Sequence, residues 1–201
     1  MVTAPIFYFD FASPNAYFVH RVLPDVEART GQRFTYLPVL LGGLFKATGN
    51  QAPMVAYRDI PAKLAYEHRE ITRFIARHGL TKFVMNPHFP VNTLLAMRGA
   101  VAAAGQGLLA PYVEAVFAAM WEQGVDCSDA SALAAILTAA GLPAEALLNA
   151  TGDEAVKAQL IANTEGAVAH GAFGIPSFLV GTELFFGKDR LGEVEREIAE
   201  H

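Results

Sequence analysis

Phe7-Tyr8-Phe9-Asp10-Phe11-Ala12-Ser13-Pro14-Asn15-Ala16-Tyr17 reads as a strand that runs directly into a helix. Residues Ile6 to Phe11 are mostly aromatic or β-branched, the types that fit a pleated, half-buried surface. Ser13 is a good N-cap, and Pro14 suits the first helical position, where a missing N–H costs nothing. A helix start leaves backbone N–H groups free, and with the helix dipole they favour negative charge at the Ser13 end. Taken alone, Ser13 is first of all a cap; an anion site is the other reading.

Working outward, the helix should run from Pro14 to about Arg29, with Tyr17, Val19, Val22, Leu23 and Val26 on its apolar face, and stop at Thr30-Gly31. A strand follows at Arg33 to Val39, completing the strand–helix–strand unit of a parallel pair. From Leu44 to about Gly171 the pattern is helical. Its candidates are Pro61 to His78, Val91 to Ala104, Leu109 to Gln123, Ala130 to Ala140, Ala144 to Asn149 and Asp153 to His170. Strand character returns at Ser177 to Val180 and Leu184 to Phe186 around the turn Gly181-Thr182-Glu183, before a last helix from about Arg190 to Ala199. Neither end forms a useful sheet alone. Joined, they predict an α/β fold: a thioredoxin-like mixed four-stranded sheet from residues 1–43 and 172–201, with a large helical domain, 44–171, inserted after the second strand.

The 201 residues are 53% hydrophobic and 17% charged, enough for a substantial core. A net charge of -5 with no basic tract argues against a nucleic-acid partner. The N-terminus lacks the pattern of a signal peptide and the Ala-rich stretches are broken short of a membrane span, so the expectation is a cytoplasmic protein with no membrane partner. The single Cys127 allows no intramolecular disulfide and no Cys-x-x-Cys chemistry; without a cationic neighbour in sequence it reads as inert. His20, His68, His78, His88, His170 and His201 are scattered without metal-ligand spacing, so no metal is expected. Phosphate-loop and Gly-x-Ser-x-Gly patterns are absent too.

A second polar junction lies at Phe173-Gly174-Ile175-Pro176-Ser177-Phe178, where Pro176 precedes a strand. A trans proline is permissible there, whereas a cis bond would expose the backbone of Ile175 to a ligand. Four separated blocks then resemble one family: Phe9 to Tyr17, Leu41-Gly42-Gly43-Leu44-Phe45-Lys46-Ala47-Thr48-Gly49-Asn50, Asn86-Pro87-His88-Phe89-Pro90-Val91-Asn92, and Phe185-Phe186-Gly187-Lys188-Asp189-Arg190-Leu191. They resemble the 2-hydroxychromene-2-carboxylate isomerases, DsbA-like members of the thioredoxin superfamily related to kappa-class glutathione transferases. The resemblance spans essentially the whole chain in order.

That resemblance implies glutathione as cofactor, with Ser13 as the catalytic residue standing where a disulfide oxidoreductase has its first cysteine. It implies that Ile175, before Pro176, meets the cysteinyl backbone and that Lys188 and Asp189 hold the γ-glutamyl end, with Arg190 as support. It further implies a small aromatic carboxylate as substrate, met by Lys46, Asn50, Lys63 and Asn86, and a homodimer. Each has a plainer reading: Lys46 and Lys63 as solvated charges, Gly49-Asn50 and Asn86-Pro87 as turns, Lys188-Asp189 as a surface turn and cap. Trp121, Phe117 and Met120 read as core rather than as a substrate wall. The implied activity is isomerisation of the chromene by reversible thiolate addition, and a kappa-like transferase or peroxidase is the alternative.

Overall fold

Strand β1 (Ile6–Phe9) lies inside a four-stranded sheet in the computed structural model, which describes residues 4–200. Residues 1–3 and 201, with them His201 and the outer limits of the two-part unit read above, lie outside the described residues. β1 pairs in parallel with β2 (Thr35–Pro38) and antiparallel with β3 (Ser177–Val180), which turns back into β4 (Glu183–Phe186). The order is β2-β1-β3-β4, the mixed sheet expected from joining the chain's two ends. Phe7 and Phe178 face each other across it with ring centroids 5.5 Å apart, and neither is exposed. Full burial of such a ring contributes about 1.5–3 kcal/mol, so the pairing of remote ends is driven by the aromatic runs themselves.

The helices are α1 (Pro14–Thr30), α2 (Leu41–Thr48), α3 (Pro53–Ala56), α4 (Pro61–His78), α5 (Leu94–Gly105), α6 (Leu109–Glu122), α7 (Ala130–Ala139), α8 (Ala144–Ala150), α9 (Glu154–Ala169) and α10 (Leu191–Glu200). A short 3-10 turn, Lys188–Arg190, leads into α10. Ser13 caps α1 as its sequence predicts, and Gly31 closes it at φ 69°. Against α1 pack α6 and α10. Trp121, Phe117 and Met120 of α6 are fully buried, and the Trp121 indole N–H donates to Phe11 O at 2.9 Å, so they are core.

Helix α2 departs from the sequence reading. The stretch Leu41-Gly42-Gly43 carries two poor helix formers and no capping side chain at Leu40, yet α2 begins there. Its first N–H, Leu41 N, is taken by the Asp10 carboxylate at 2.7 Å, and Leu40 N by Thr164 Oγ1 at 3.0 Å. Thus α2 starts because two side chains remote in sequence supply its cap. Gly43 is required by the packing: a Cβ there would stand 3.0 Å from Thr164 Cγ2 on α9. By contrast α4 has the predicted limits but buries only Phe74, which lies 5.9 Å from the Phe18 ring.

Candidate active site

The β1–α1 junction meets the loop before β3. The Ser13 hydroxyl donates to Ile175 O at 3.1 Å and accepts from Ala16 N at 3.3 Å, while Ser13 N donates to Asp10 O at 3.2 Å. The Ile175–Pro176 peptide is cis. Pro14 has no N–H and that of Ala16 is already taken by Ser13, so among the described residues the first turn offers a ligand the N–H of Asn15. The free donors expected at this helix start thus reduce to one.

The loop is held along its length. Phe173 O accepts from Asn50 Nδ2 at 2.9 Å, Gly174 O from Ser177 Oγ at 2.8 Å, Ile175 O from Ser13 Oγ, and Pro176 O from Gly187 N at 2.9 Å. Four successive carbonyls are bonded to four different segments, which fixes the backbone next to Ser13. These bonds bring together Ser13, Ile175, Pro176, Asn50 and the start of the Lys188–Asp189 turn.

Beneath the junction is Asp10, which sequence reading quoted without a role. Its carboxylate is fully buried and accepts from Ala12 N at 2.9 Å, Leu41 N at 2.7 Å and Thr93 Oγ1 at 2.6 Å. Burial pushes the carboxyl above the usual range, and the three hydrogen bonds offset only part of that rise. Asp10 therefore ties the β1–α1 turn to the first residue of α2 and to Thr93, the residue preceding α5. A lone acid inside an aromatic run was the available signal.

Other anticipated residues are placed differently. Asn86 is a correction: it is buried, with Nδ2 donating to Met120 O at 2.8 Å and Val125 O at 2.9 Å and its oxygen accepting from His88 N, so it ties a loop to the end of α6 and leaves no donor for a substrate. Lys188 is buried, its ammonium 2.8 Å from Asp189 Oδ2 and 5.4 Å from the centre of the Phe74 ring on α4. Asp189 stays exposed. Lys46 is exposed in the last turn of α2, and the exposed Lys63 lies 4.4 Å over the Tyr57 ring, not joined to the Ser13 cluster. Cys127 is buried, and desolvation pushes its thiol up to about 12, so it is no nucleophile.

A strand that ends on a helix cap, facing a cis-proline loop across a mixed sheet, defines a thioredoxin-like fold with a serine at the helix start. The chain belongs to the DsbA-like thioredoxin family, whose model matches residues 6–199. It is 29% identical over 191 residues to a 2-hydroxychromene-2-carboxylate isomerase of Sphingobium xenophagum, covering 94% of each chain. It is 27% identical over 197 residues to glutathione S-transferase kappa 1 of Rattus norvegicus, covering 92% of this chain and 85% of that protein. A solved 2-hydroxychromene-2-carboxylate isomerase superposes with a TM-score of 0.84 at 26% identity, covering 98% of this chain and 95% of that one.

Proposed function

We propose that the chain is a glutathione-dependent isomerase interconverting 2-hydroxychromene-2-carboxylate and trans-o-hydroxybenzylidenepyruvate, a step in the breakdown of naphthalene-type aromatic compounds. The observation that carries this is the Ser13 hydroxyl set against Ile175 at the helix start, with the chain's single thiol buried elsewhere. The donor set fits glutathione: a hydroxyl and the Asn15 N–H for a thiolate, the Ile175 backbone for a peptide, and the exposed Asp189 carboxylate for an ammonium. When bound, glutathione would supply the thiolate that adds reversibly to the conjugated double bond and so permits rotation about it.

The chain's own part is electrostatic. Ser13 has one hydroxyl proton, now donated to Ile175 O, and turning it toward a bound sulfur anion lowers the thiol pKa together with the helix dipole. Asn50 is held at the rim by Phe173 O, and its second amide hydrogen is available to a developing oxyanion; the exposed Lys46 is the proposed cation for the substrate carboxylate, with Lys63 reaching it only by leaving the Tyr57 ring. The same reading places a homodimer in the cytoplasm.

Steady-state turnover of the chromene with and without glutathione tests the proposal. Turnover should require glutathione and leave it unconsumed, and Ser13→Ala should lower kcat about a hundredfold. Undiminished activity without glutathione overturns the cofactor. The similarity to kappa-class transferase favours a second reading, conjugation or reduction of another electrophile; a stable thioether or net loss of glutathione would establish it.

A further inference from the structure

Two exposed rings flank the loop that holds Ser13, Phe173 within it and Phe186 at the end of β4. Phe173 is 40% exposed and Phe186 is 42% exposed, and their centroids are 4.6 Å apart with planes inclined at 48°. Exposed rings paired with each other are the exception in a chain where Phe7, Phe9, Phe11, Phe18, Phe117 and Phe178 are wholly buried. The pair is also continuous with the site. Phe173 is two residues before Ile175, whose carbonyl holds Ser13, and Phe186 immediately precedes Gly187, whose N–H holds Pro176 O. Gly174 makes room for it: a Cβ there would come within 2.7 Å of Phe186 Cε2.

We propose that Phe173 and Phe186 form the surface against which the aromatic ring of the substrate is held, so that they set specificity rather than perform chemistry. This rests on the aromatic-carboxylate reading above. The occupant follows from the chemistry: two inclined rings present both an edge and a face, which suits offset or edge-on packing of a planar ring. The four bonded carbonyls of residues 173–176 keep the backbone beneath the rings fixed, so little ordering is needed when a ligand arrives. Trp121, the alternative wall, has no exposed surface.

The test is kinetic, using Phe173→Ala, Phe186→Ala, the double variant, and Phe186→Leu, which retains apolar area without a ring. With glutathione saturating, each Ala variant should raise KM for the chromene about tenfold with kcat within twofold, and Leu should recover only part of the loss. Gly174→Ala, which displaces the Phe186 ring, should act in the same direction. Glutathione affinity by calorimetry should stay unchanged. An unchanged KM in the folded double variant overturns the proposal, as does a change in sedimentation with KM unaltered, which would make the rings an interface. If the wild type does not turn over the chromene at all, salicylate and cyclohexanecarboxylate binding tests the surface separately. Preference for salicylate, lost in the double variant, supports it, and equal binding of the two by the wild type overturns it.

Discussion

Helices α1 and α2 start within one hydrogen-bonded cluster, but they are started differently. The N-terminus of α1 is closed by its own Ser13, three residues from the N–H it accepts. That of α2 is closed by Asp10, 31 residues earlier, and by Thr164, on α9. A local cap can be replaced or lost with a local effect. A remote cap couples a helix to the tertiary fold, so its loss should spread through everything that the shared carboxylate joins.

The largest expected effect is on Asp10. Asp10→Ala would leave Ala12 N, Leu41 N and Thr93 Oγ1 without their acceptor, the last fully buried and the first two part-buried, and should lower unfolding free energy by about 3 kcal/mol. Urea titration followed by Trp121 fluorescence measures it, and a loss below about 1 kcal/mol would mean that α2 does not depend on its remote cap. Ser13→Ala removes a local cap and should cost only about 1 kcal/mol in the same titration, while abolishing most of the proposed turnover. A stability loss as large as that of Asp10→Ala would erase the distinction.

Two adjacent glycines sharpen it further. Gly43→Ala would press its methyl onto Thr164, whose hydroxyl is fixed between Leu40 N and Leu160 O, and should destabilise by about 1 kcal/mol. Gly42→Ala meets nothing within 4 Å and should stabilise by about 0.5 kcal/mol through helix propensity. Paired thermal melts read the opposite signs; a gain at Gly43 would show that α2 can withdraw from α9.

The smallest effect lies at the other end of α1's attachments. Glu114 on α6 accepts from His20 and from Arg21, which hold its carboxyl down at about 2. A depressed folded pKa stabilises above the unfolded value, and the contribution is lost as pH falls from about 4.5 toward 2. The Glu114 side chain is more than half exposed, so less than about 0.5 kcal/mol is expected. Melts of Glu114→Gln and wild type should converge over that interval and separate above it.

What the sequence discloses follows the same division. The sheet, the α1 cap and the limits of α4 are legible because each rests on neighbouring residues: aromatic runs, Ser13-Pro14, and Pro61 and Gly79 at either end of an amphipathic stretch. The α2 start was hidden because its cap comes from elsewhere and Gly42-Gly43 argue against a helix. In the site, Ser13 and the Ile175–Pro176 loop were readable as a motif and meet as a pair. Asn86 misled, since a polar residue at a turn has the same sequence appearance whether its side chain faces solvent or folds inward. Phe173 and Phe186 were invisible for the converse reason: nothing in an aromatic-rich chain marks which rings stay outside.

The bonded loop at residues 173–176 also has a kinetic consequence. Its acceptors are satisfied from α1, from the segment after α2, from β3 and from the end of β4, so no single segment can carry the loop away while the others stay in place. The Gly187 amide proton should therefore exchange with solvent only when the whole chain opens. The lifetime of the assembled site is then that of the native state.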